Sequence, residues 1–115
     1  MKKTYGNIED TLTLSSDALV AMVDIDCREA DQLDVILKNS GTSSHDVDYE
    51  IHIYPFYDGT LYSTYATGTI ADGAQESNHV YPLEGQRAKI MVKPSAAGDY
   101  TDVDCEWGTK NLGRR

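Results

Sequence analysis

The three histidines are the first residues whose side chains could act as acids, bases or metal ligands. His45 falls in a polar loop, His52 on the polar face of a predicted strand, and His79 in a short predicted strand. No two of them have the spacing of a metal site, and no catalytic His-Asp-Ser grouping is apparent in the local sequence. Although a triad can form from distant residues, the sequence favours a non-enzymatic protein with no catalytic residues, metal or cofactor.

Two predicted strands carry acidic residues at every second position. Asp102, Asp104 and Glu106 share one face of the last strand, and Asp24 and Asp26 share a face of the second. Such rows could hold Ca²⁺ if carboxylates from two segments converged. No loop with the regular oxygen spacing of a calcium site is present, so a solvated acidic face is the favoured interpretation.

The two cysteines, Cys27 and Cys105, lack the spacing of a redox or zinc motif. Cys105 has the same strand parity as Val103 and Trp107, and Cys27 the same as Val23, so both thiols are expected to face the core. A disulfide between them would stabilise the fold by roughly 4 kcal/mol in the chain-entropy model. Buried free thiols are favoured over a disulfide because no export signal is recognised.

The densest aromatic cluster lies in one predicted hairpin. Tyr49 is expected in the core, and the others form the candidate interface: Tyr54, Phe56, Tyr57, Tyr62 and Tyr65. Tyrosine offers a flat apolar ring with a polar tip, which suits a protein interface or sugar stacking. Ordinary cross-strand packing explains the same cluster equally well.

Charge is distributed unevenly along the chain. Four of the ten basic residues, Lys2, Lys3, Arg114 and Arg115, lie at the two ends, whereas all nineteen acids lie between Glu9 and Glu106. The body therefore carries six positive and nineteen negative charges, or −13, and nucleic-acid binding is disfavoured. The basic tips are interpreted either as disordered ends or as arms that contact an acidic partner.

Apolar and polar residues alternate repeatedly from residue 33 to 107, which predicts antiparallel strands. Strands at intervals of roughly 8 to 12 residues are typical of a sandwich or barrel. We expect an all-β antiparallel sandwich of about eight strands, Ig-like or jelly-roll-like. The predicted strands span residues 8–14, 18–25, 33–39, 47–54, 61–67, 77–81, 86–93 and 100–107.

Two local features give more specific expectations. The near-continuous apolarity of residues 18–25 predicts a strand covered on both faces, in the middle of the sandwich. Asp58-Gly59 predicts a type I′ hairpin turn, because glycine readily adopts the positive φ that this turn needs.

The 115 residues are expected to form one domain at residues 8–107, with an N-terminal arm at 1–7 and a tail at 108–115. No apolar run approaches the ~20 residues of a membrane span. The first residues lead into acidic sequence rather than an apolar stretch, so we expect synthesis in the cytoplasm without a signal peptide.

The run LDVILKNSG at residues 33–41 is a predicted strand that ends in an Asn-x-Gly turn, and QRAKIMVKPSAAG at 86–98 leads into the last predicted strand at 100–107. These two segments resemble the corresponding strand and closing hairpin of small β-sandwich virion accessory proteins of tailed bacteriophages, of the capsid decoration or cement type. The resemblance implies a protein that binds outside an assembled shell, often as a trimer. Its partner would be the major capsid protein or another virion protein, and it implies no catalytic residues.

From the residues and this resemblance together we expect a non-enzymatic capsid decoration protein, located in the virion and present as a homo-oligomer, with no nucleic-acid or membrane partner. The alternative is a carbohydrate-binding or adhesion module of a phage fibre or tail that uses the hairpin between Tyr54 and Tyr65. A glycan-binding role and a shell-binding role would both use exposed aromatic side chains.

Overall fold

The computed structural model describes residues 3–41 and 45–111, with side chains described from residue 8. Eight strands account for most of this length, and the alternation of apolar and polar residues is clearest in β3, β4 and β7. They are β1 (Lys3–Thr13), β2 (Val20–Asp26), β3 (Gln32–Asn39), β4 (Val47–Tyr54), β5 (Ser63–Ile70), β6 (Gln75–Val80), β7 (Arg87–Pro94) and β8 (Asp102–Asn111).

The strands form two four-stranded antiparallel sheets. The strand order is β1-β8-β3-β6 in one sheet and β2-β7-β4-β5 in the other. Only β4 and β5 are consecutive neighbours, and every other connection crosses from one sheet to the other. This order is that of an eight-stranded jelly roll built from two Greek keys. The predicted all-β sandwich is confirmed, and the topology selects the jelly roll over the Ig-like alternative.

The core lies between the inner faces of the sheets. Seven residues that the alternation assigns to the inner faces are all buried. These residues are Val35, Leu37, Ile51, Ile53, Ile90, Val92 and Val103, none of them more than 8% exposed. Tyr49 is also buried, as predicted.

The first and last strands extend beyond their predicted ends. β1 begins at Lys3 rather than at residue 8, and its pairing with β8 starts at Lys3 opposite Asn111. β8 continues past Trp107, and Thr109 within this extension is buried. Residues 3–7 and 108–111, predicted as parts of an arm and a tail, therefore belong to the sheet. Pairing of β1 with β8 covers both segments, with a register shift between Tyr5 and Ile8.

The prediction for the second strand was wrong. Among the described strands, β2 pairs with β7 alone, at the edge of its sheet. One of its faces is exposed at Asp24 and Asp26. A register shift between Ala21 and Val23 interrupts the alternation, and Ala21 is exposed. The apolar run reflects this irregularity rather than cover on both faces.

The predicted two-residue turn at Asp58-Gly59 was also wrong. β4 ends at Tyr54, before Pro55, and β5 begins only at Ser63, so the connection has eight residues. Gly59 donates its N–H to the carbonyl of Phe56 at 3.0 Å, which places it at the fourth position of a turn. Its φ lies outside the left-handed region.

Both cysteine thiols are free and buried, as predicted. Burial raises the pKa of each thiol to about 12, and only the thiolate is strongly nucleophilic. We expect neither Cys27 nor Cys105 of the folded protein to react with a disulfide reagent at pH 8, and both to react after denaturation in guanidinium. Rapid reaction of either thiol without denaturant would contradict this expectation.

Candidate interaction surface

One end of the sandwich consists of three connections joined by hydrogen bonds. Leu83 N–H donates to the carbonyl of Asp31 at 2.8 Å, and Tyr57 N–H donates to the side-chain oxygen of Gln86 at 3.0 Å. We call this the aromatic end. Its connections are residues 27–31, 55–62 and 81–86, which follow β2, β4 and β6.

Large apolar side chains are exposed at the aromatic end. Leu61 is 82% exposed and Phe56 is 71% exposed, and Tyr62 and Tyr81 are each about half exposed. Among the described residues of the opposite end, Tyr100 is the only large apolar side chain of this kind, and it is 38% exposed. A clustered set of exposed apolar residues is more informative than isolated ones, because it is typical of contact surfaces.

Arg28 fixes the position of Tyr57. The guanidinium carbon of Arg28 lies 3.9 Å from the centre of the Tyr57 ring, a cation–π geometry. Asp26 accepts two hydrogen bonds from the same guanidinium, at 3.0 and 2.7 Å. The hydrogen bonds from Arg28 hold the pKa of the Asp26 carboxyl below its usual value. The arginine is therefore held between a carboxylate and an aromatic ring.

Arg87, on β7, is likewise held between a carboxylate and an aromatic ring. Its guanidinium forms a two-pronged ion pair with Asp24 and lies 5.7 Å from the centre of the Tyr54 ring. Lys89 Nζ approaches the same ring at 5.3 Å. The hydrogen bond from Arg87 lowers the pKa of Asp24 despite an opposing effect of burial. Tyr54 itself is buried, so it supports the surface rather than presenting it.

Tyr62 covers a buried histidine. Its ring stacks on His52 with a centroid separation of 3.9 Å and an interplanar angle of 12°. His52 is only 2% exposed, although it lies on the polar face of β4 where the sequence predicts solvent. Its Nε2 lies 2.8 Å from a carboxylate oxygen of Glu50, and its Nδ1 has no hydrogen-bond partner among the described residues. Tyr62 is thereby held with one ring face toward solvent.

The structure brings together four of the five predicted aromatic interface residues. Tyr54, Phe56, Tyr57 and Tyr62 lie at the aromatic end, whereas Tyr65 lies on β5 and donates its hydroxyl to the carbonyl of His79 on β6. Their roles in an interface or in sugar binding stay predictions. The basic tips also stay a prediction: Lys2, Arg114 and Arg115 lie outside the described residues, as does the side chain of Lys3.

Sequence reasoning missed the contribution of Arg28, Arg87 and Lys89. Arg87 and Lys89 have the outward parity of β7, but their contacts depend on the register that places Arg87 opposite Asp26 and Tyr54. Arg28 lies in a connection that the sequence marks only as polar. The only signal in the sequence was that Arg87 and Lys89 point away from the core. That signal does not identify the residues they contact, which lie about 30 to 60 positions away in the chain.

The acidic rows have ordinary hydrogen-bond partners. Asp104 accepts a hydrogen bond from Thr11 at 2.8 Å, and Asp102 accepts one from Thr13 at 2.7 Å. Asp24 and Asp26 are engaged by arginines. Within the described ranges, no group of three or more His, Cys, Asp or Glu side chains is arranged to hold a metal ion.

Each of the other two histidines lies beside one carboxylate. His45 Nδ1 is 3.5 Å from a carboxylate oxygen of Asp99, and His79 Nδ1 is 2.6 Å from one of Asp34. Burial raises the pKa of Asp34, but hydrogen bonds from His79, Gln32 and Lys110 outweigh it and leave that pKa below its usual value.

In the described part of the chain, no helix is long and apolar enough to cross a membrane.

Comparison with solved structures identifies several proteins with a similar fold. A Bacillus endospore appendage, from a family of disulfide-linked pili, has a TM-score of 0.61 at 13% identity and covers 95% of this chain and 89% of its own. The PBSX exported protein XepA has a TM-score of 0.65 at 10% identity over 95% of this chain. This chain spans only 36% of XepA.

A protein from the capsid structure of the Helicobacter pylori bacteriophage KHP30 also matches. Its TM-score is 0.50 at 8% identity, and the match covers 95% of this chain and 93% of that one. Neither a protein-family model nor a curated protein sequence matches the chain. At these identities the comparisons establish the fold alone, a jelly roll that accords with the resemblance to small β-sandwich virion proteins.

Proposed function

We propose that this protein is a non-enzymatic structural component of a virion, specifically a capsid decoration protein. It binds the outside of an assembled shell through the aromatic end, and its partner is the major capsid protein or another virion protein. The observation that carries the proposal is the gathering of exposed apolar side chains at one end of the sandwich, with Leu61 at 82% and Phe56 at 71% exposure. The fold it shares with a bacteriophage capsid structure supports this role.

Binding at the aromatic end is favourable because it removes exposed apolar side chains from water. Fully burying a Leu or Phe side chain contributes roughly 1.5 to 3 kcal/mol relative to exposure. Phe56 and Leu61 lie in the same connection, between β4 and β5, so both belong to the surface that the partner would cover. Exposed apolar anchors with polar surroundings match the organisation of protein interfaces, in which a few residues dominate the affinity.

The charged surroundings of these anchors favour binding without large rearrangement. Arg28 and Arg87 are already paired with carboxylates and lie against tyrosine rings. Side chains held in place before binding lose less conformational entropy when the complex forms. Arginine and tyrosine are also enriched among residues that contribute most to interface affinity.

Repetition on the shell would strengthen this contact. A homo-oligomer, for example a trimer, engages several lattice sites at once, and linked contacts multiply their effect on apparent affinity. The basic residues Lys2, Lys3, Arg114 and Arg115 would add salt-sensitive attraction to an acidic shell, which the body, with its excess of acids, lacks.

The double variant Phe56→Ser/Leu61→Ser tests the proposal. We expect it to reduce co-sedimentation with bare capsids of the phage that carries this gene by at least about tenfold, because it removes two apolar anchors. Its melting temperature should stay close to that of the wild type, since neither side chain is buried.

Tyr100→Ser is the matched control, because Tyr100 is an exposed aromatic residue at the opposite end. It should leave capsid binding unchanged. Wild-type protein that does not sediment with the capsids would overturn the decoration role. Binding that survives in the double variant would show that the aromatic end is not the docking surface.

A further inference from the structure

A cleft of about 450 Å³ opens near the edge of the sandwich and includes part of the aromatic end. One wall comes from the sheet that contains β1 and β8, with Ile8, Trp107 and Thr109. The other comes from the end of β2 and the connection that follows it, with Asp26, Arg28, Glu29 and Ala30. We call it the Trp107 cleft. Its volume lies within the range of small-molecule sites.

The indole ring of Trp107 has a defined position in this cleft. Trp107 pairs with Ile8 across the two strands and has the inward parity of buried Cys105. Its Nε1–H donates to a carboxylate oxygen of Asp10 at 3.3 Å, which orients the ring. Trp107 is only half-buried: it packs against the core and also lines the cleft.

The opposite wall offers both donors and acceptors of hydrogen bonds. Glu29 is exposed and its carboxylate can only accept, whereas the Arg28 guanidinium can only donate. Two of the Arg28 N–H groups bind Asp26, and the Tyr57 ring holds the guanidinium in place at 3.9 Å. Because a guanidinium has five N–H groups, others remain for a ligand.

The chemistry of the two walls selects the class of ligand. A flat aromatic ring packs against the apolar C–H face of a sugar ring, while sugar hydroxyls need both donors and acceptors around them. Asp26, Arg28 and Glu29 together carry a charge of −1, and Asp10 adds another negative charge nearby. This charge disfavours an anionic ligand.

We propose that the Trp107 cleft binds one neutral pyranose unit of a glycan. Trp107 stacks on the sugar ring, and Arg28 and Glu29 hydrogen-bond to its hydroxyls. The cleft includes Arg28 and part of the 27–31 connection of the aromatic end, but neither Phe56 nor Leu61. The variant Phe56→Ser/Leu61→Ser therefore distinguishes a loss of shell binding from a loss of glycoside binding.

Trp107 is the only tryptophan in the chain, so its fluorescence reports directly on the cleft. The wild-type protein is titrated with the methyl glycosides of glucose, galactose, mannose and N-acetylglucosamine, with choline chloride as a cationic probe. We expect at least one glycoside to produce a saturable change in emission, and choline to produce none.

Two variants and their controls locate the site. Ala30→Leu fills the cleft and Glu29→Ala removes an acceptor, and each should weaken glycoside binding at least tenfold. The controls Ala97→Leu and Glu84→Ala change exposed residues of the same types outside the cleft, and they should bind as the wild type does. Glu29 is exposed, so its variant should fold even if Ala30→Leu does not.

Three results would overturn the proposal. The first is the absence of a saturable response to any glycoside, or a response that both cleft variants retain. The second is a response to choline alone, which would identify a cation site. The third is a Trp107 emission that depends on protein concentration in the wild type but not in Phe56→Ser/Leu61→Ser. This result would show that the cleft binds the 55–62 connection of a second copy of the protein.

Discussion

Replacing Ile90 with alanine is expected to lower the free energy of unfolding by about 2 to 5 kcal/mol. Ile90 is fully buried on the inner face of β7, where it lies between Val23 on β2 and Ile51 on β4. Removing its outer carbons takes apolar contacts from both neighbouring strands. Because all three residues belong to paired strands, the backbone cannot easily close the resulting cavity.

Urea denaturation followed by circular dichroism measures this loss. Met91→Ala is the matched control on the same strand, because Met91 has the opposite parity and is only half-buried. It should cost clearly less than Ile90→Ala. Equal losses in the two variants would contradict the assignment of inner and outer faces along β7.

The inner faces could be predicted because burial imposes the period of the strand on the sequence. β4 is the clearest case: the alternation of Val47, Tyr49, Ile51 and Ile53 predicts both its bounds and its buried face. The terminal extensions of β1 and β8 could not be predicted in this way. Residues 108–111 lack an apolar alternation, and backbone pairing with β1 and β3 holds them in the sheet.

The order of the strands and the make-up of the surface depend on pairings between distant residues. Local apolarity did not reveal that β2 is an edge strand, because the register shift at Ala21 and Val23 disturbs the pattern. The aromatic residues of the candidate surface could be found from their density in the sequence. The contacts of Arg28 and Arg87 required the register of three strands, which a single sequence does not encode in any local signal.

A buried asparagine gives the second large effect. Asn39, the last residue of β3, is fully buried and makes three side-chain hydrogen bonds. Its amide donates to the carbonyls of His45 and Ile70 at 2.6 and 3.2 Å, and its oxygen accepts from the hydroxyl of Thr101 at 3.2 Å. It thus joins three segments at the end of the sandwich opposite the aromatic end.

Asn39→Ala is expected to destabilise the protein by more than about 3 kcal/mol, because each buried polar group left without a partner costs roughly 1 to 3 kcal/mol. Asn78→Ala is the matched control: Asn78 is half-buried, and its amide makes one side-chain hydrogen bond, to the Tyr49 hydroxyl at 3.2 Å. It should cost about 1 kcal/mol. Urea denaturation of both variants compares the two losses.

Close packing beside Asn39 gives an independent check on its hydrogen-bond network. A Cβ at Gly41 would lie 1.6 Å from the Thr101 hydroxyl oxygen, so Gly41→Ala must displace the group that donates to Asn39. If the network acts as a unit, combining Gly41→Ala with Asn39→Ala should cost less than the sum of the two single losses, since both break the contact with Thr101. Strict additivity would show that the Asn-x-Gly segment and the buried network contribute to stability separately.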